Sequence, residues 1–233
     1  MSDQGLWYLE NIDVSGIFCP KKLSNVEGDH STESFTKGSY IYLPEDASNK
    51  IYFITEGRIK IGSHGSRDKE ITKAILGKGE VFGELAILDA AERKDYAIAM
   101  ENSKVCVVTK EEMKSLMKDH SQLSLFLMKL MGKRAIDMEK RLESLVFKDS
   151  RSRIIEFLSD LVKQKGQRVG YEMLVRKFVT HQEIANITAT SRQTVTTVLN
   201  ELRNKNILTF DRKRLLIRNM EALNKEISIR QNL

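Results

Sequence analysis

Long apolar runs, cysteines and histidines are all scarce in these 233 residues, and each shortage excludes a class of function. No apolar run approaches the roughly 20 residues that span a bilayer. The first ten residues, M-S-D-Q-G-L-W-Y-L-E, lack the basic and apolar regions of a signal peptide, so the expected location is the cytoplasm, with no membrane partner. Two cysteines, Cys19 and Cys106, fit a reducing compartment. They are too few and too far apart for a zinc or iron–sulfur site built from cysteine alone. Four scattered histidines give no cluster with carboxylates, which argues against a metal-dependent barrel enzyme and against any metal site or enzymatic activity. His30, His64, His120 and Cys106 show no arrangement suited to haem ligation.

Acid is also scarce in one place. Residues 149–233 carry 16 Lys and Arg against 9 Asp and Glu, leaving 22 against 23 in the remainder. The excess positive charge therefore sits in the C-terminal third, where nucleic acid would attract it. Within that third, Thr180–Asn204 reads as two short helices joined by a tight turn. Thr180 followed by Glu183 is a capping box, and Ser191 repeats the start signal with Thr194 three residues on. Ile184, Ala185 and Ile187 give the first helix an apolar face; Val195, Val198, Leu199 and Leu202 do so for the second. The outward residues Arg192, Gln193, Thr194, Thr196, Thr197 and Asn200 are polar and free of acid until Glu201, as a helix entering a major groove requires. The following I-L-T-F-D-R-K-R-L-L-I-R makes a basic hairpin about Asp211–Arg214, giving a winged helix-turn-helix whose Lys213 is suited to the DNA backbone.

The N-terminal part reads as a β-sandwich or barrel from Phe35 onward. Its runs S-Y-I-Y-L, K-I-Y-F-I-T, R-I-K-I-G, I-T-K-A-I-L, Y-A-I-A-M and K-V-C-V-V-T alternate with turns at Gly38, Asp46–Asn49, Gly57 and Gly65. Ahead of it, Leu6, Leu9, Ile12, Ile17 and Phe18 mark short helices only loosely. Gly83-Glu84-Leu85-Ala86 opens a short helix whose first amides can receive an anion, and Arg93 supplies a forked, permanently charged partner.

From Lys110 to Phe147 the pattern is a turn of helix and then a long helix. Met131, Met138 and Leu145 recur every seventh position, with Leu127, Ala135 and Leu142 between them. Such a stripe seeks a partner helix, most simply the same helix of a second copy. Asp149 and Ser150 then cap a new helix with Ile154, Ile155, Leu158, Leu161 and Val162 on its apolar face, ended by Gly166. R-V-G-Y-E-M-L-V adds a strand or two, and M-E-A-L-N-K-E-I-S-I-R forms a terminal helix. The chain is thus α+β: a β-sandwich or barrel over 1–120, a long dimerisation helix over 121–148, and a winged helix-turn-helix over 149–233.

The G-E-L-A loop with its following arginine, the long helix, and Q-E-I-A-x-x-T-x-x-S-R-x-T-V-x-x-x-L resemble the cyclic-AMP receptor protein and fumarate–nitrate regulator (CRP/FNR) superfamily of bacterial transcription factors, across residues 15–218. The resemblance implies a cyclic-nucleotide-binding-type jelly-roll β-barrel and a homodimer that reads a palindromic site on double-stranded DNA and acts on RNA polymerase. It makes Arg192 the base-reading arginine, expected at guanine O6 and N7, and gives Thr180, His181, Gln182, Ser191 and Thr194 positioning work near the backbone or groove edge. Gln193 and Thr197 stand where the cyclic-AMP type has glutamate and arginine, so the base preference should differ. In the barrel, Glu84 matches the ribose-binding carboxylate, Gly83 and Leu85 its loop, and Arg93 the phosphate-binding arginine. Lys94, Asp95 and the Met138-Glu139 pair depart from the cyclic-AMP pattern, and Cys19 stands alone where the oxygen-sensing branch has a cysteine cluster. These departures argue against cyclic AMP and leave the sensing input open between two readings, the first a different small anionic effector with Gly83, Glu84, Leu85, Arg93 and Lys94 around it. The alternative is ligand-independent regulation with a vestigial pocket kept as a dimerisation scaffold. Operator, regulated genes, and activation or repression are not written in the sequence.

Overall fold

The computed structural model describes residues 32–65 and 69–228. The expected short helices around Leu6, Leu9, Ile12, Ile17 and Phe18, together with Cys19 and His30, lie outside the described residues, as do the last residues of the expected terminal helix. The chain parts into two compact units between Ile136 and Asp137.

The first unit is a two-sheet roll. Its strands are β1 (Thr32–Phe35), β2 (Tyr40–Tyr42), β3 (Lys50–Glu56), β4 (Arg58–His64), β5 (Glu70–Gly77), β6 (Val81–Phe82), β7 (Tyr96–Ala99) and β8 (Ser103–Thr109). They form two antiparallel sheets, ordered β1-β8-β3-β6 and β2-β7-β4-β5. The alternation of apolar side chains serves two cores. Tyr52, Ile54, Ile59, Ile61, Phe82 and Ala97 are buried among the residues of one. Ile51, Phe53, Cys106 and Val108 point to the other face of their strands and pack against helices. Gly57 makes the change of sheet between β3 and β4 possible. Its φ is 92° and an added Cβ would lie 2.7 Å from the Ser103 Cα, so both conformation and space demand glycine.

Two helices close the second core. α1 (Lys110–Asp119) starts at a capping box in which Thr109 and Glu112 exchange bonds with each other's backbone amides. α2 (Ser121–Phe147) buries Leu123, Phe126, Leu127 and Leu130 against the roll. These are the reasons the division falls inside α2 rather than near Lys148: the first half of the helix belongs to the barrel core, and beyond Arg134 the side chains, Ser144 apart, are exposed.

That packing corrects one residue of the expected dimer stripe. Leu127 is only 2 % exposed, because it lies one helical turn from Leu123 and Leu130 and shares their barrel-facing seam. Its neighbour Met128 is 66 % exposed. With Met128 in place of Leu127, the positions Met128, Met131, Ala135, Met138, Leu142 and Leu145 alternate in strict steps of three and four. Met131 is partly buried and the rest are exposed in the single chain.

The second unit contains α3 (Ser150–Lys165), β9 (Gln167–Val169), β10 (Glu172–Arg176), α4 (His181–Thr188), α5 (Arg192–Asn204), β11 (Leu208–Phe210), β12 (Arg214–Ile217) and α6 (Met220–Ser228). Asp149 caps α3 by accepting from the Ser152 amide, and Gly166 follows its last turn. The strands form an antiparallel sheet ordered β11-β12-β10-β9. Ile154, Ile155, Leu158, Ile184, Val195, Leu199 and Leu202 are fully buried, giving the three central helices one core.

Candidate nucleic-acid interface and barrel site

The helix pair begins as its sequence dictates. The Thr180 hydroxyl accepts from the Glu183 amide, and the Glu183 carboxylate accepts from the Thr180 amide at 2.7 Å. α4 ends at Ala189 in the left-handed region, φ 50°, and the Thr190 amide returns to the Ala185 carbonyl at 3.0 Å. Arg153 of α3 secures this corner by donating from Nε to the Thr188 carbonyl at 2.9 Å and from Nη2 to the Ala189 carbonyl at 3.2 Å. Ser191 then caps α5 by accepting from the Thr194 amide at 3.0 Å.

α5 buries Val195, Val198, Leu199 and Leu202, and that fixes its outward face: Arg192, Gln193 and Thr197 are exposed. Thr194 is partly covered beside the Ser191 hydroxyl, 2.8 Å away. Gln182 is exposed and donates to Asn186 at 2.9 Å. Thr196 departs from the expectation of an outward DNA contact. Its hydroxyl donates to the Arg192 carbonyl at 2.9 Å and lies 2.9 Å from His181 Nδ1, so it is committed inside the unit. His181 stands edge-on to Phe210 with ring centroids 5.5 Å apart, joining the start of α4 to α5 and to the wing. Burial, and after it the Arg192 charge, hold its imidazole below the usual histidine pKa.

The wing is the β11–β12 hairpin. Asp211 Oδ1 accepts from the Lys213 and Arg214 amides at 2.6 and 2.8 Å, which closes the turn and leaves Arg212, Lys213 and Arg214 exposed. The guanidinium of Arg203 stacks 5.3 Å from the centroid of Phe210. An exposed polar helix face beside a three-residue basic turn is geometry suited to a groove flanked by phosphates.

In the roll, Gly83, Glu84 and Arg93 come together, whereas Leu85 and Lys94 are exposed and turned out. The expected short helix is a five-residue 3-10 turn, Glu84–Leu88, whose Ala86 amide already donates to the Gly83 carbonyl at 3.1 Å. Arg93 is 5 % exposed and donates from Nη1 to the Gly83 carbonyl at 3.1 Å and from Nη2 to the Lys50 carbonyl. Its guanidinium lies 4.5 Å from the Tyr42 ring and 5.9 Å from that of Tyr52. Burial raises both phenols, keeping them neutral beside it. Gly83 permits this approach: at φ 75°, an added Cβ would meet Arg93 Nη1 and the Lys50 carbonyl at 3.0 Å. Arg93 Nε is buried without a hydrogen-bond partner. The buried Glu84 carboxylate, by contrast, is paired with Arg134 of α2, which also donates to the Val81 carbonyl at 2.6 Å.

Known proteins divide the chain in the same manner. The profile of the cyclic nucleotide-binding domain matches residues 32–120, and that of the Crp-like helix-turn-helix domain matches residues 152–226. The chain belongs to the CRP/FNR superfamily of transcriptional regulators. The global nitrogen regulator of Synechocystis sp. is 27% identical over 198 residues, covering 84% of this chain and 88% of the relative. The CRP-like cAMP-activated global transcriptional regulator of Mycobacterium tuberculosis is 25% identical over 189 residues, with 81% and 84% covered. The fold follows that of a CooA mutant from Carboxydothermus hydrogenoformans at a TM-score of 0.79, 24% identity and 97% coverage of both chains. The chain is therefore a helix-turn-helix transcriptional regulator with a cyclic-nucleotide-binding-type domain. No helix among the described residues is long and apolar enough to cross a membrane.

Within this family architecture, sequence reading missed Arg134 and Arg153. Arg134 sits four residues after Leu130 and seven after Leu127, on the barrel-facing seam of α2; extending that seam by one turn was the available signal. Arg153 gives no comparable signal, since the two corner carbonyls that it holds, those of Thr188 and Ala189, lie more than thirty residues away.

Proposed function

We propose that the chain works in the cytoplasm as a homodimer joined along Met128, Met131, Ala135, Met138, Leu142 and Leu145 of α2, and reads a two-fold symmetric operator with two copies of α5. The observation that carries this is the heptad of α2, in which Met128, Met138, Leu142 and Leu145 are exposed large side chains on a single helix. A symmetric pair supplies two recognition helices for two half-sites about one helical turn apart. In each, Arg192 addresses a guanine, Gln193 and Thr197 set the remaining base preference, and Thr180, Gln182, Ser191, Thr194 and Lys213 position the unit on the backbone. RNA polymerase is the downstream partner. The barrel modulates DNA affinity through α2, with a small anion other than cyclic AMP at Gly83, Glu84 and Arg93. The buried Arg93 guanidinium, with carbonyls and rings around it and one nitrogen unpartnered, supports an anionic effector.

Selection of duplexes from a random pool, followed by fluorescence anisotropy, tests the reading. A palindromic consensus bound at two chains per duplex is the expected result; no sequence preference at moderate salt, with Arg192→Ala indistinguishable from the unaltered chain, would overturn it. The Glu84–Arg134 pair favours a second reading, ligand-independent regulation, because it already ties the loop to α2. Calorimetry against cyclic AMP, cyclic GMP and small dicarboxylate and phosphate anions separates the two: saturable heat that alters DNA affinity rules out the second.

A further inference from the structure

We propose that His181 makes DNA binding by this helix-turn-helix proton-linked, its Nε2 taking up a proton when a phosphate settles beside the amino end of α4. The proposal rests on reading α4, α5 and the wing as the DNA-binding surface. His181 is the first residue of α4 and is partly buried where α4, α5 and the wing meet. Its Nδ1 lies 2.9 Å from the Thr196 hydroxyl, which in turn donates to the Arg192 carbonyl at 2.9 Å. A hydroxyl has one proton to give, and that of Thr196 goes to the carbonyl, so Nδ1 must be the donor. The neutral ring is thereby held as its Nδ1–H form, leaving Nε2 as the atom that titrates. The His181 ring makes no other hydrogen bond among the described residues. Protonation at Nε2 therefore keeps the link to Thr196 and turns a neutral ring into a cation.

The charges around the ring oppose that step in the free protein. On α4 itself, the Glu183 carboxylate is occupied by the Thr180 amide and hydroxyl at 2.7 and 3.0 Å. On α5, the charged neighbour is Arg192, which repels a second cation. The wing offers the edge of Phe210, whose ring carries Arg203. The unpaired amides and dipole at the start of α4 add to the positive field. A phosphate reverses the balance, since it is attracted by the same amides and by Arg192, and its charge favours imidazolium. The bound-state pKa then lies above the free-state pKa. Affinity must rise as pH falls through the bound-state value and level off below the free-state value.

The full-length chain is titrated by fluorescence anisotropy from pH 8 to pH 5.5 at fixed ionic strength, against a duplex recovered by selection and a scrambled duplex of equal length. A separation of about half to one pKa unit corresponds to roughly threefold to tenfold tightening per recognition unit. H181N keeps a donor near the place of Nδ1 but cannot titrate, and H181Q removes that donor's position. Both should lose the excess pH dependence on both duplexes. In proton NMR, the histidine Cε1–H resonance absent from H181N should titrate at higher pH with duplex than without it. Coincident pH profiles for the unaltered chain and H181N, or a His181 titration unmoved by DNA that is bound, would overturn the proposal and leave the interface standing. Absence of binding at every pH would overturn the interface itself, and the proposal with it.

Discussion

Two substitutions in α2, at Leu127 and Met138, separate the barrel core from the dimer seam. Leu127→Ala removes a side chain that is 2 % exposed and packed among Leu123, Phe126 and Leu130. Truncating such a leucine costs about 2–5 kcal/mol through lost transfer energy and the cavity left behind. The cost should appear in the thermal or urea unfolding of the barrel. Met138→Lys removes a side chain that is 70 % exposed in the single chain, so intrachain stability has little to lose. In a symmetric seam the same residue is buried twice. Full burial of a methionine contributes about 1.5–3 kcal/mol, and the exposed fraction leaves roughly 1–2 kcal/mol per copy, or about 2–4 kcal/mol per dimer. The self-association constant should then weaken by roughly 30-fold to 1000-fold, with like-charge repulsion adding to the loss. Sedimentation equilibrium measures it. If Leu127→Ala weakened self-association as strongly as Met138→Lys while leaving unfolding unchanged, the assignment of Met128 rather than Leu127 to the seam would be wrong. If Met138→Lys stayed fully dimeric, the seam itself would be misplaced.

Arg192→Ala should cost about 1–3 kcal/mol of operator affinity and relax one base position, read by anisotropy across single-base variants of the selected site. Lys213→Ala should weaken all sequences about equally and reduce the slope of affinity against salt by roughly one per copy. Arg134→Ala should destabilise the barrel by about 2–4 kcal/mol, since it strands a buried carboxylate, and adding Glu84→Gln should restore a good part; a double-mutant cycle with no coupling would refute the pair's importance. Arg153→Ala should lower the unfolding temperature of the DNA-binding unit, because two carbonyls at the corner after α4 lose their donor.

What could be read from the sequence was what local chemistry encodes. The starts of α3, α4 and α5 were legible because Asp149, Thr180 and Ser191 accept from amides only three residues on. The longer strands were legible from alternation between turns. β1 was not, because T-E-S-F has a single strongly apolar residue, and β6 was not, because two residues have no period. Leu127 and Met128 are adjacent and both apolar, so either fits a stripe; only the barrel core, assembled from strands far away in sequence, decides between them. Thr196 fails for a similar reason. A threonine on the polar face of a helix looks outward until a histidine 15 positions earlier claims its hydroxyl. Gly83, Glu84 and Arg93 were recognisable as a group, but the partner of Glu84 lies 50 residues on, in a helix whose charged residues all look solvated.

The two charges of the barrel site bear on what an effector must accomplish. Cyclic-AMP recognition, as the family resemblance implies it, would use Glu84 to accept ribose hydroxyls. Here that carboxylate is already held by a guanidinium, and a ligand would have to displace Arg134 before Glu84 could accept from it. Breaking a buried pair by removing one partner costs about 3–5 kcal/mol, and the half-open setting of Arg134, with its side chain 34% exposed, lowers that toward the bottom of the range. Even about 3 kcal/mol reduces affinity by a factor on the order of 100 unless the ligand offers Arg134 a new acceptor. An anion does so, and Arg93 favours the same charge: its guanidinium is buried, bonded to the carbonyls of Gly83 and Lys50, and has one nitrogen unused. Physical chemistry thus sets the same direction as Lys94 and Asp95 do in sequence. A nucleotide that needs Glu84 for its sugar must first undo a pair that the barrel has already made, whereas an anion needs no acceptor from Glu84.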